Sequence, residues 1–280
     1  MEYLVATFYR FAALPDAASL RDRLEAIARA GAVRGTILLA REGINGTIAG
    51  PASGVDAVLD AIRADPRLAV LDIKRSHAAE QPFHRLKVRV KREIVTLGRP
   101  EEADPTRAVG TYVDAAAWND LLDDPDVLVI DTRNAYEVEL GTFDRAVDPG
   151  TAGFREFPAW AEAHLDPERD RKVAMFCTGG IRCEKATALL KHRGFESVYH
   201  LRGGILQYLE DMPRERSRWR GECFVFDQRV SVDHDLLPRG YDLCYGCRQP
   251  LAPADRSHPA FEAGVCCHRC AATTTAAQRA

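Results

Sequence analysis

The chain has 280 residues, 46% of them hydrophobic, enough for two or more globular cores, and its formal net charge of −3 excludes a uniformly basic nucleic-acid coat. No apolar run approaches the roughly 20 residues that cross a bilayer, and the opening Met1-Glu2-Tyr3-Leu4-Val5 is a strand pattern rather than a basic, cleavable leader, so a cytoplasmic protein without a membrane segment is expected. The eight cysteines, at 177, 183, 223, 244, 247, 266, 267 and 270, are missing from the first 176 positions, which excludes a distributed disulfide framework and points to metal or redox chemistry in a reducing compartment.

Taken in order, residues 3–11 read as a strand, and Pro15-Asp16 opens a helical pattern with Leu20, Leu24 and Ile27 on one face, closed at Gly31. Val33 to Ala40 is a strand. Arg41 to Gly46 reads as a turn rich in positive-φ residues leading into Thr47-Ile48-Ala49. Pro51 starts a second helix with Val55, Val58, Leu59 and Ile62 inward, and a strand near Ala69 to Lys74 follows. Strand, helix, strand, strand, helix, strand is the pattern of a ferredoxin-like α+β domain, here spanning 1–97. That fold hosts too many functions to name one.

The end of this domain, 83–97, alternates Arg85, Lys87, Arg89 and Lys91 with Leu86, Val88 and Val90, which puts four cations on one face of a strand. Two readings stand side by side. One is an edge strand guarded against aggregation; the other is a stripe that tracks phosphates, since like charges in a row repel unless an anion visits.

Gly98 to Pro105 is a linker, and strands then alternate with helices over 108–211, the signature of a parallel-sheet α/β domain. The predicted elements are a helix at 115–122, a strand at 127–130, an irregular stretch at 141–158, a helix to His164, a helix at 184–193, a strand at 198–201 and a helix after Gly204. Between them Val173 to Phe176 is an apolar run that stops at Cys177, passes Thr178, Gly179, Gly180 and Ile181, and opens a helix at Arg182-Cys183-Glu184-Lys185. Two glycines let successive N–H groups converge, the helix adds the positive end of its dipole, and Arg182 adds a fixed charge. All three favour a thiolate at Cys177, a candidate nucleophile at the C-terminal end of a strand, where such sheets place ligands. Cys183 is either a small packing residue or a thiol able to resolve an oxidised Cys177. Asp131 and Arg133 are expected to brace the loop as an ion pair, and Lys185 to add to the field over the pocket.

In the last region, 212–280, Arg214, Arg216, Arg218 and Arg220 surround an exposed-looking Trp219, which suits either an RNA surface or a solvated linker. Cys223 to Val232 reads as a hairpin. Cys244 and Cys247, then nineteen intervening residues, then Cys267 and Cys270, form paired CxxC knuckles with the spacing of a four-sulfur structural zinc site, leaving Cys266 spare.

The Cys177 to Arg182 loop, one position shorter than the loop of cysteine phosphatases, suits sulfur better than phosphate and resembles that of the rhodanese family, which carries a cysteine persulfide. The resemblance extends through Asp131-Thr132-Arg133, Glu137, Gly141 and Leu201 to Ile205, with Thr142-Phe143 where many rhodaneses carry His-Ile. The order of a ferredoxin-like domain, a rhodanese domain and a cysteine-paired tail, together with Arg41 to Thr47 and Lys91 to Gly98, is similar to the bacterial tRNA uridine hydroxylase family TrhO. That resemblance implies oxygen-dependent 5-hydroxylation of uridine 34, with tRNA as partner, molecular oxygen as co-substrate and Cys177 required. No dinucleotide fingerprint or two-His-one-carboxylate pattern is evident, so no catalytic cofactor is expected beyond it. A sulfurtransferase acting through a Cys177 persulfide and a non-catalytic RNA-binding module are the alternatives.

Overall fold

In the computed structural model, which describes residues 2–279, the first domain is a sheet with two helices on one face. Its elements are β1 (Tyr3–Phe11), α1 (Ala17–Ala30), β2 (Arg34–Ala40), β3 (Gly43–Gly50), α2 (Ala52–Arg63), β4 (Asp72–Ala78) and β5 (Leu86–Val90). The strand order is β4-β1-β3-β2-β5. β1 runs antiparallel to both β3 and β4, and β2 antiparallel to β3, the arrangement a ferredoxin-like domain requires, while β5 adds itself parallel to β2. Alternation does the sorting. Ala6 and Phe8, Ile37 and Leu39, and Ile44 and Ile48 point to the helices and meet Leu20, Leu24, Val58 and Leu59 in one core. Thr7, Tyr9, Thr36, Leu38, Asn45 and Thr47 therefore point to the other face.

Two boundaries differ from the sequence reading. The predicted turn at 41–46 is only its first two residues: Gly43, at φ 147°, opens β3, and Ile44 to Gly46 are paired strand. A Cβ at Gly43 would lie 2.0 Å from the Arg10 carbonyl oxygen, so here the glycine serves close approach to β1. The strand expected at 69–74 starts at Asp72 instead, because Asp65 accepts from the Arg67 N–H and holds Pro66–Leu68 in a 3₁₀ turn first.

The second domain contains β6 (Thr111–Val113), α3 (Ala115–Asp123), β7 (Val127–Asp131), α4 (Ala135–Val138), β8 (Gly141–Phe143), α5 (Phe157–His164), β9 (Lys172–Phe176), α6 (Ile181–His192), β10 (Ser197–Leu201) and α7 (Gly204–Asp211). Its parallel sheet has the order β6-β10-β9-β7. β9 lies between two partners, which explains why Val173 to Phe176 reads as an unbroken apolar run.

The stretch 141–158 is not irregular throughout. β8 pairs antiparallel with β11 (Trp219–Gly221) from the C-terminal region. This pairing turns Trp219 inward, and the tryptophan that looked exposed in the sequence is buried against Phe143, with ring centroids 5.0 Å apart. Phe143 in turn meets Phe176 and Tyr208 edge-on and Trp118 at a tilt. Downstream lie the short hairpin of β12 (Cys223–Phe224) with β13 (Ser231–Val232), and the pair of β14 (Asp242–Leu243) with β15 (Pro250–Leu251) that carries the cysteine knuckles.

Candidate active site

β9 delivers Cys177 to the C-terminal edge of the parallel sheet, and α6 starts at Ile181 after Gly180 turns the chain at φ 98°. The loop is clamped from α7: Ile205 N–H donates to the Cys177 carbonyl at 2.9 Å, and Leu206 N–H to that of Thr178 at 3.1 Å. A Cβ at Gly204 would stand 2.4 Å from the Cys177 oxygen, so this clamp needs glycine. The Gly180 N–H points at Cys177 Sγ, 3.1 Å away. Burial raises the Cys177 pKa, but the Cys183 thiol, the Arg182 charge and the amides of residues 183 and 182 outweigh it and bring it down to about 5. Cys183 is pushed up by its own burial and by the neighbouring thiolate, so it stays a protonated donor. Thr132 Oγ1 lies 3.6 Å from Cys183 Sγ and bonds the Phe176 carbonyl, so Cys183 is packed where it sits.

Arg182 is held by Glu137 through two bonds of 2.5 and 3.1 Å, both side chains nearly or wholly buried. Glu137 also accepts from the Asn134 N–H at 3.1 Å, capping the start of α4. Glu137 belongs to the rhodanese-like pattern, but nothing in the sequence says that it seats the loop arginine, since forty-five positions separate them. Arg133 and Asp131 form a fully buried bidentate pair, at 2.8 and 2.5 Å, and Arg133 also donates to the carbonyls of Glu137 and Gly141. Thr142, standing where many rhodaneses carry histidine, donates to Asp131 at 3.0 Å.

Lys185 corrects an expectation. Its ammonium does not reach over the pocket: it is fully buried and lies 2.8 Å from Glu42 and 2.6 Å from Glu93, two carboxylates of the N-terminal half. Glu42 also accepts from Ile94 N–H, Asn45 donates to the Ile94 carbonyl, and Glu93 accepts from Leu97 and Gly98. The Arg41 to Thr47 and Lys91 to Gly98 motifs thus grip one another and, through Lys185, the cysteine helix.

This grip sets the open face of the N-terminal sheet over the cysteine loop. Between them is a cavity of about 550 Å³. Cys177, Thr178, Gly179, Ile181 and Arg182 form its floor, Thr7, Tyr9, Asn45 and Lys74 come from the sheet, and Phe226, Asp227 and Arg229 come from the β12–β13 hairpin. Tyr9 donates to Glu184 at 2.8 Å, fixing the sheet to the first turn of α6. Burial pushes the Lys74 ammonium below its ordinary range, against the attraction of Asp72 and Cys177. The sequence signalled none of these N-terminal residues as site residues, because they look like ordinary alternate positions of a half-buried strand.

The basic positions divide. Lys91 lines the cysteine cavity, and Arg85 and Lys87 line a second groove beside it, with Arg89 close enough to lower the Lys87 pKa. β5 is an edge strand, a position that both readings of its cations allow. Arg214, Arg218 and Arg220, by contrast, pair with Asp235, Asp123 and Asp144, leaving Arg216 exposed and without an ion pair among the described residues. In the tail, Cys244, Cys247, Cys267 and Cys270 bring their sulfurs within 4.8 Å of one another. The 244–270 and 247–267 separations are both 3.7 Å and the 267–270 separation is 3.9 Å. Zinc–sulfur bonds of about 2.3 Å make a tetrahedron with edges of about 3.8 Å, whereas a disulfide would need about 2.05 Å.

Residues 3–94 match the UPF0176 acylphosphatase like domain, and residues 114–211 match the rhodanese-like domain. A protein of Agrobacterium fabrum named tRNA uridine(34) hydroxylase is 55% identical over 269 residues, covering 96% of this chain and 85% of that protein. One of Albidiferax ferrireducens with the same name is 57% identical over 282 residues, covering 99% of this chain and 88% of its own length. Among solved structures, the rhodanese-like domain of an Anabaena protein is 21% identical, covers 39% of this chain and 78% of its own, and superposes with a TM-score of 0.33.

Proposed function

The chain belongs to the family of the tRNA uridine(34) hydroxylases, and on that premise we propose that it hydroxylates uridine 34 of tRNA at C5, with molecular oxygen as co-substrate and Cys177 as the indispensable residue. The observation that carries the reading is the position of Cys177, fully buried from bulk solvent yet on the floor of a cavity shared by the sheet, the cysteine loop and the hairpin. A uracil ring flipped from the anticodon loop enters such a space without its helix. There the thiolate, kept charged by Arg182, the Cys183 thiol and the loop amides, is the nucleophile available to it. Lys74 stands on the opposite wall, where a nucleobase carbonyl would meet a cation. No helix among the described residues is long and apolar enough to cross a membrane. A cytoplasmic site of action, alongside the tRNA it would modify, is part of the proposal.

Nucleoside mass spectrometry on tRNA from cells carrying wild-type protein or Cys177→Ser tests this. The variant keeps the fold, because the exchange is nearly isosteric, and abolishes the 5-hydroxyuridine-derived nucleosides at position 34. Loss of a thiouridine instead, with hydroxylation intact, would replace the hydroxylase by the sulfurtransferase reading that the persulfide-type loop also suits. We further propose that the four tail cysteines hold one structural zinc, supported by sulfur separations that fit tetrahedral coordination. The metal would supply folding energy to the tail and no chemistry at Cys177.

A further inference from the structure

The cysteine cavity does not end at the hairpin. Thr36, Phe83, Phe226 and Asp227 line it and also line a neighbouring groove of about 1070 Å³. One wall of this groove is the edge strand β5, with Lys87, and Arg85 just before it; the other is the cysteine-rich tail, with Tyr245 and Arg248. The charges are unbalanced. Asp227, Asp242 and Glu262 are already taken by Arg229, Arg256 and Arg279, whereas Arg85, Lys87, Arg89 and Arg248 have no acidic partner among the described residues, leaving Glu80 as the one unpaired acid lining the groove. Arg85 first, then burial, Arg89 and Arg248 push the Lys87 ammonium below its usual range, the mark of cations held together without an anion.

The groove also carries two large apolar side chains that stand in solvent: Tyr245 is 62% exposed and Phe226 58%. The Arg248 guanidinium lies over the Tyr245 ring at 5.4 Å, and Arg182 of the cysteine loop lies over Phe226 at 5.7 Å. An aromatic ring backed by arginine offers a base a stacking face, and flanking cations hold its phosphate, with no demand on base identity.

We infer that this groove seats the single-stranded nucleotides next to the target uridine, with Phe226 and Tyr245 as stacking faces and Arg85, Lys87 and Arg248 on phosphates. The inference rests on the tRNA hydroxylase reading and assigns the cysteine-rich tail a part in substrate binding. The two walls come from opposite ends of the chain, so neither alone makes a binding surface. Phe226, shared by groove and cavity, is the point at which the strand would turn so that one base leaves the stack toward Cys177.

The test is fluorescence anisotropy of a labelled anticodon stem-loop that contains the target uridine, titrated with full-length protein, with hydroxylation of the same RNA measured alongside. Tyr245→Ala is expected to weaken binding roughly tenfold. Lys87→Ser or Arg248→Ser should each flatten the dependence of log Kd on log salt by about one. Arg214→Ser, which removes an arginine already paired with Asp235, should leave binding unchanged. Because Tyr245 adjoins a knuckle cysteine, the free-thiol count of each variant is measured, and Lys87 on the opposite wall gives an answer independent of the tail. If wild type binds and hydroxylates the RNA while Tyr245→Ala and the Lys87→Ser/Arg248→Ser double variant bind within twofold of it, the groove is overturned and the hydroxylase reading stands. If wild type binds no tRNA-derived RNA, both fall.

Discussion

In the proposed reaction Cys177 and Arg182 carry the chemistry, and each depends on a neighbour. The thiolate at Cys177 owes its stability to the Cys183 thiol, the Arg182 charge and the loop amides, against the burial that opposes it. Its folded pKa lies below the roughly 8.5 of a free cysteine. The stability it contributes is therefore complete above the unfolded value and lost as pH falls toward about 5. A difference titration of thiolate absorbance, wild type minus Cys177→Ser, should show one thiolate persisting to about pH 5. Cys183→Ala removes a donor and should move that titration upward; an unmoved curve would make Cys183 filler and nothing more. Glu137→Ala leaves Arg182 buried without its counter-ion, and should cost about 3–5 kcal/mol, read as a drop in the denaturation midpoint. Arg182→Met in the same background should restore part of it while moving the Cys177 titration upward, which separates the stability role of the pair from its electrostatic one.

Among the elements, the knuckles at the end of the chain are the least able to fold by hydrophobic burial. Their cluster is four buried cysteines and Leu251, with only partly buried Cys247, Phe261, Val265 and Ala271 around them. A region so poor in apolar side chains needs a staple. Metal analysis of protein prepared without chelator should give about one zinc per chain, and a strong chelator should release it, expose four further titratable thiols and open the tail to protease. Protein free of metal with the same protease resistance would leave the sulfurs as thiols that merely pack. The β8–β11 pairing shows a different economy. An antiparallel contact between residues nearly eighty positions apart turns Trp219 into core and leaves Arg218 and Arg220 outside, where nearby aspartates neutralise them. An arginine-rich run there is a poor guide to an RNA surface.

For the molecule as a whole, the decisive contact is Lys185 between Glu42 and Glu93, because it joins the cysteine helix to the sheet that roofs it. Lys185→Met should leave two carboxylates without their cation, lower the midpoint by an amount set by about 3–5 kcal/mol, and raise protease cleavage in the 98–107 connection. Adding Glu42→Gln and Glu93→Gln should recover much of the loss; no recovery would mean that Lys185 acts through its packing. The sequence by itself determined the order of the longer strands and helices, the candidate nucleophile and its loop, and the spacing of the knuckles. These rest on short-range rules: alternation, helical period, the need for glycine beside converging amides, and ligand spacing along a few residues. It could not determine that Thr7, Tyr9, Thr36, Leu38, Asn45 and Thr47 face the Cys177 cavity, that Lys185 is a bridge, that Trp219 is buried, or that Tyr245 lies across a groove from Lys87. Each of those is a pairing across tens to more than a hundred positions, set by how whole faces pack. A side chain's neighbours across such distances are fixed only when the sheet, the cysteine helix and the tail have come together.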